Sequence, residues 1–131
     1  MANRYGEAAI LAARQAASGS NPIAQWEKAL EKLYPTSPVA RQKNGPRGAF
    51  LGLCEEGLVK DVPAGDYSSS KDSKAYAVRA VALLTAAGQH WSKSALWHEV
   101  TDGAEKQENG QIDVVLALWN NALIVGKPVA E

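Results

Sequence analysis

Cys54, His90 and His98 are the residues of this chain best suited to nucleophilic chemistry, because a thiol becomes a nucleophile near neutral pH when a base or a positive charge stands beside it. Cys54, however, shares a helical face with Phe50 and Leu53, where a free cysteine serves as a small apolar packing residue. Glu55 and Glu56 are the other candidates, as a carboxylate pair. Neighbours on a helix point about 100° apart, so these two do not face one another. They fall in the last turn of a helix, where the dipole disfavours negative charge, and this placement asks for a cation such as Arg47, Lys60 or Arg79. Two histidines, one cysteine and no H-E-x-x-H or C-x-x-C pattern leave no ligand set with metal-binding spacing, and no metal is expected. Gly45, Gly48 and Gly52 around Pro46 and Arg47 suggest an anion at a helix N-terminus. Neither G-x-x-x-x-G-K-[ST] nor G-x-G-x-x-G is present, so no nucleotide or other cofactor is expected.

Recognition residues are easier to find than catalytic ones. Arg41, Lys43 and Arg47 make a basic loop, Lys60 and Tyr67 belong to a connector over 58–70, and Trp91 stands in an inter-helix turn as the tryptophan expected to be partly exposed. These six form the expected partner-binding set. The chain is neutral overall, which speaks against a surface built mainly to hold nucleic acid. The charge is uneven along it, with eight Lys or Arg against five acids over 41–93, and five acids with only Lys106 over 99–113.

The elements that must position these residues read as helices. Residues 4–17 place Tyr5, Ala8, Ala9, Ala12 and Ala16 on one narrow side. Asn21 and Pro22 supply an N-cap and first-turn proline for a second helix carrying Ile23, Trp26, Ala29, Leu30, Leu33 and Tyr34, which ends before Pro35. A loop over 35–45 leads to a helix at about 46–56, closed by Gly57 with Leu58 folding back. A small hairpin or an irregular connector then occupies 58–69. A broad apolar helix from Asp72 or Ser73 to about 87, stopped by Gly88, reads as a central helix. Ser92 or Ser94 caps a short helix to Val100, and a final helix at about 111–125 carries two stripes. The first is Ile112, Val115, Leu116, Trp119, Ala122 and Leu123; the second is Val114, Leu118 and Val125. Two stripes need two surfaces to cover them, which a central place in the bundle supplies, or else a second subunit or a partner.

With 131 residues, 46% of them hydrophobic and 21% charged, the whole of 1–131 is expected to be one mainly α domain, a bundle of about six helices with room for a hairpin at 58–69. The single cysteine, the lack of a secretory signal pattern and the lack of a ~20-residue apolar run point to a cytoplasmic protein with no membrane span.

The block Gly48-Ala-Phe-Leu-Gly-Leu-Cys-Glu-Glu-Gly-Leu-Val59, with the Ala-Gly-Asp-Tyr turn and Lys74-Ala-Tyr-Ala77, resembles the shared segment of a family of small uncharacterised bacterial proteins. That resemblance covers about 45–84, implies a bacterial cytoplasmic protein and transfers no catalytic residue. Residues 46–88 also resemble the latter half of a winged-helix domain, which implies a reading helix at 46–56 with Arg41, Lys43, Arg47 and Lys60 on DNA. The exposed face of that helix would carry two glutamates, which phosphate repels, so nucleic acid is disfavoured. The expected function is therefore recognition of a protein partner, of immunity, regulatory or adaptor type, or self-association through the C-terminal helix. A winged-helix-like regulator is the alternative, and an enzyme around Cys54, Glu55, Glu56 and His98 comes third.

Overall fold

The computed structural model describes residues 4–67, 71–87, 91–104, 106, 108 and 110–125. Gly88, His90 and the serines at 68–70 lie outside them. Among the described residues the fold is mainly helical, with seven helical segments and no strand: α1 Arg4–Ala16, α2 Pro22–Leu33, α3 Pro38–Arg41, α4 Asn44–Glu55, α5 Lys71–Ala87, α6 Lys93–Val100 and α7 Gln111–Asn120.

The alanine face of α1 is buried through Ala8, Ala9, Ala12, Ala13 and Ala16, and side chains this small let α2 and α7 pack directly against the helix. Asn21 caps α2 as its sequence implies. Its Oδ1 accepts from the N–H of Ile23 at 2.8 Å and of Ala24 at 3.4 Å, with Pro22 at the first helical position. Trp26 is wholly buried and stacks on Phe50 of α4, ring centroids 5.1 Å apart.

The 35–45 loop is not wholly irregular. Ser37 Oγ accepts from Ala40 N–H at 3.3 Å and Pro38 opens the one-turn helix α3. This repeats the Asn21–Pro22 device, hidden in the sequence because two prolines so close together read as extended chain.

Helix α4 begins two residues earlier than its proline suggests. Pro46 sits in the first turn, where its missing N–H has no intrahelical role. Pro46 and every residue from Gly48 to Cys54 are buried, which puts α4 at the centre of the bundle with α5 packed closely on it. Its glycines serve packing: a Cβ added to Gly52 would meet Lys74 of α5 at 2.6 Å, so the two helices cross with their backbones close together. The end of α4 follows the left-handed stop read from the sequence. Gly57 has φ +72°, with Gly57 N–H donating to Cys54 O at 3.0 Å and Leu58 N–H to Leu53 O at 2.9 Å.

No hairpin forms over the described part of 58–69. Val59 pairs antiparallel with Ile124 instead, with Lys60 N–H donating to Leu123 O at 2.8 Å and Val125 N–H to Leu58 O at 2.7 Å. The alternation at 58–60 is thus completed by the far end of the chain, a partner that local pattern cannot name. The same pairing shortens the last helix to Asn120. Ala122 takes a left-handed φ of +59° so that the chain can leave α7 and reach Val59.

Both stripes of α7 pack largely within this chain. Val114 and Leu118 of the second stripe are fully buried, Leu116 and Trp119 are half-buried, and Val125, beyond the helix, is exposed. Ser92 caps α6 through Oγ to Ala95 N–H at 3.1 Å, and the Glu108 carboxylate accepts from Gly110 and Ile112 N–H at 2.9 and 2.8 Å at the head of α7. On α5 the buried positions are Ser73, Ala77, Ala80, Val81 and Leu84. Tyr76, Val78 and Leu83 are half-buried against the core on its flanks, and its exposed side carries Ala75, Arg79 and Ala82.

Candidate functional site

The exposed side of α5 forms the floor of a groove. Ala75, Val78 and Ala82 lie along it at i, i+3 and i+7, one line on a helix. Ala75 and Ala82 are exposed and Val78 is half-buried. Around them stand Glu55, Glu56, Asp66, Lys71, Lys74 and Arg79, and together these residues enclose about 720 Å³. None of them belonged to the expected partner-binding set. The signal for them was the breadth of the α5 apolar surface, which reads equally as a sign of deep burial.

One end of the groove is built by the tail of α4. Lys74 Nζ bridges the two adjacent glutamates, paired with Glu55 and, at 2.9 Å, with Glu56. The cation that answers the unfavourable carboxylates is thus Lys74, and not Arg47, Lys60 or Arg79. Hydrogen bonds to Glu55 and Glu56 hold the Lys74 ammonium above the ordinary lysine range. Glu55 also folds the connector onto the helix, its Oε1 accepting from Tyr67 N–H at 2.9 Å and its backbone oxygen from Gly65 N–H at 3.2 Å. Tyr67 closes the loop by donating its hydroxyl to Pro63 O at 2.9 Å. Glu56 is the looser partner, its side chain 48% exposed. At the far end Arg79 is tied to Asp102 at 3.0 Å.

The expected residues fall in three places. Arg41 and Arg47 do meet, in a smaller cleft of about 360 Å³ with Glu27, Glu31, Gln42 and Asn44. Both guanidinium groups are engaged by this chain. Arg41 donates to the carbonyls of Tyr34 and Pro35 at 3.1 and 3.2 Å, where α2 has ended, and Arg47 pairs with Glu27 at 3.5 Å. Lys43 is the exposed cap residue of α4. Lys60 and Tyr67 lie beyond the other end of α4, a helix of twelve residues and so about 18 Å long. Trp91 is half-buried, with its indole nitrogen inside the protein.

Of the nucleophile candidates, Cys54 and His98 lie among the described residues and His90 does not. Cys54 is fully buried, and burial pushes its thiol up to about 12, so no thiolate forms near neutral pH. His98 is exposed on α6, and among the described residues the groove that holds Glu55 and Glu56 has neither histidine nor cysteine in its lining. Among the described residues no group of three or more His, Cys, Asp or Glu could hold a metal ion. Among them, too, no helix is long and apolar enough to cross a membrane.

No curated protein and no solved structure shows significant similarity to the chain. Residues 2–125, nearly its whole length, match a family of unknown function, DUF6979, which takes in the block around Gly48–Val59 together with both flanks. The chain that builds this groove on α5 therefore belongs to the DUF6979 family.

Proposed function

We propose that this protein is a binding protein of the bacterial cytoplasm that recognises a protein partner through the groove on α5, in an immunity, regulatory or adaptor role. The observation that carries the reading is the groove floor Ala75–Val78–Ala82, whose two alanines are exposed among the described residues on either side of the half-buried Val78, and which is ringed by charge. An apolar centre inside a polar rim is the anatomy of a protein interface. The buried Cys54 thiol accords with a reducing compartment. The rival DNA reading would send α4 into a groove of the duplex, yet that helix is buried along most of its length and has no free face to offer.

The test is a photoreactive benzophenone amino acid placed at Ala75 or Ala82 in living cells, with Ala24 on the exposed side of α2 as control. Discrete protein adducts are expected from 75 and 82 and none from 24. Absence of adducts, or equal labelling at all three positions, refutes the proposal. An adduct of twice the chain's mass would assign the groove to self-association. Retention on duplex DNA at low salt, lost in Arg41→Ala/Arg47→Ala, would move the assignment to nucleic acid.

A further inference from the structure

The groove on α5 has a property that narrows its occupant: its floor is a helix, whose backbone groups are already engaged in their own ladder. An extended peptide laid on Ala75, Val78 and Ala82 would find no sheet edge to pair with, since no strand exists among the described residues. Its N–H and C=O groups would lose water without gaining partners, a cost that recurs at every residue. A helix avoids this by satisfying its backbone internally. The floor also suits a helix in shape. From Ala75 to Ala82 the line runs about 10 Å, two turns, and alanine side chains allow two helix axes to approach to about 8 Å.

Charge fixes the direction. At the α4 end, Lys74 supplies one positive charge to two carboxylates, Glu55 and Glu56, and Glu55 is further occupied by Tyr67 N–H. Asp66 beside them is exposed, and Lys71 offsets only one of the two remaining negative charges. The C-terminal end of α4 and the N-terminal end of α5 bring opposite partial charges to this corner, which offset each other. Among the described residues that line this end, one net negative charge is left. At the opposite end Arg79 is neutralised by Asp102.

Resting on the reading of the preceding subsection, we infer that the groove takes an amphipathic helix of the partner protein that sets small apolar residues on Ala75, Val78 and Ala82 and brings a lysine or arginine to Glu56 and Asp66. Glu56 and Asp66 are the specificity determinants of this docking.

The experiment uses the full chain carrying the benzophenone amino acid at Ala82, in cells, in three forms: otherwise wild type, Asp66→Lys and Asp66→Asn. The crosslinked segment is sequenced by mass spectrometry and the adduct yield compared, with urea midpoints confirming that each variant folds. The expected segment has helical apolar spacing and a Lys or Arg within one turn of it. The expected yield falls about two- to threefold in Asp66→Asn and about fivefold or more in Asp66→Lys, the scale of one partly exposed charge pair lost or reversed. Adducts to a segment that is acidic, or that lacks helical spacing, overturn the inference and leave the protein-binding reading standing. So do yields that ignore both substitutions. Absence of any adduct overturns both.

Discussion

Gly52→Ala tests whether the backbones of α4 and α5 really cross this closely. An alanine Cβ at this position would stand 2.6 Å from Cβ and Cγ of Lys74 and 2.8 Å from its Cα. Ordinary van der Waals separation begins at 3.4 Å, so the helices must part by about 0.6–0.8 Å. A flexible side-chain tip could swing away, but a backbone atom can move only with its helix. Overpacking of this kind costs about 1–3 kcal/mol, and displacement of a whole helix belongs at the upper end. Against it stands the better helix propensity of alanine, about 1 kcal/mol. The net loss is about 2 kcal/mol, which at a urea slope of about 2 kcal/mol/M lowers the midpoint by about 1 M. Urea titration followed by far-UV circular dichroism and by tryptophan fluorescence reads it. A double-mutant cycle sharpens the assignment. Lys74→Gly deletes the side chain that the new methyl group strikes and leaves only the clash with the backbone, so Gly52→Ala should cost about 1 kcal/mol less in that background. Equal or greater stability of Gly52→Ala, or the same cost in both backgrounds, refutes the close crossing.

Other perturbations follow from single features. Ala122→Gly relieves a left-handed alanine and is expected to raise stability by about 0.5–1 kcal/mol, read as an increase in urea midpoint; a loss would contradict the Val59–Ile124 pairing that demands the turn. Cys54 should resist a thiol reagent such as dithionitrobenzoate at about pH 8 in the folded protein and react at once in urea. Fast labelling of the native state would mean that α4 is not the buried centre. Because the native Lys74 ammonium titrates above its ordinary value, its contribution is fully present below about pH 10.4 and is lost as pH rises through the higher native value. The difference in urea midpoint between wild type and Lys74→Met should therefore hold up to about pH 10.4 and shrink as pH rises above it; a difference independent of pH would show that the ion pairs contribute nothing.

Much of this protein is written in local signals. Asn21–Pro22, Ser92 and Gly57 each act within a few residues through a side-chain cap or a left-handed stop, and each sits in the structure where its neighbours in the chain place it. The packing face of α1 and the apolar face of α4 are legible for the same reason, because helical period converts spacing into a side. What failed to be legible involves distant partners. Val59 has its β partner at Ile124, near the far end of the chain, so neither the missing hairpin nor the early end of α7 had a local mark. The absence of a glycine at 122 removed the one cue that could have given it away.

The groove shows the same division. Composition and period established that α5 is apolar around most of its circumference, and that Glu55 and Glu56 at a helix end need a cation. Which side of α5 would be covered, and that Lys74 would be the cation, depended on α4 taking the centre of the bundle. Burial is a contest among all apolar faces for a limited interior. A helix carries its own face in its sequence, but the winner of that contest is a property of the assembled whole.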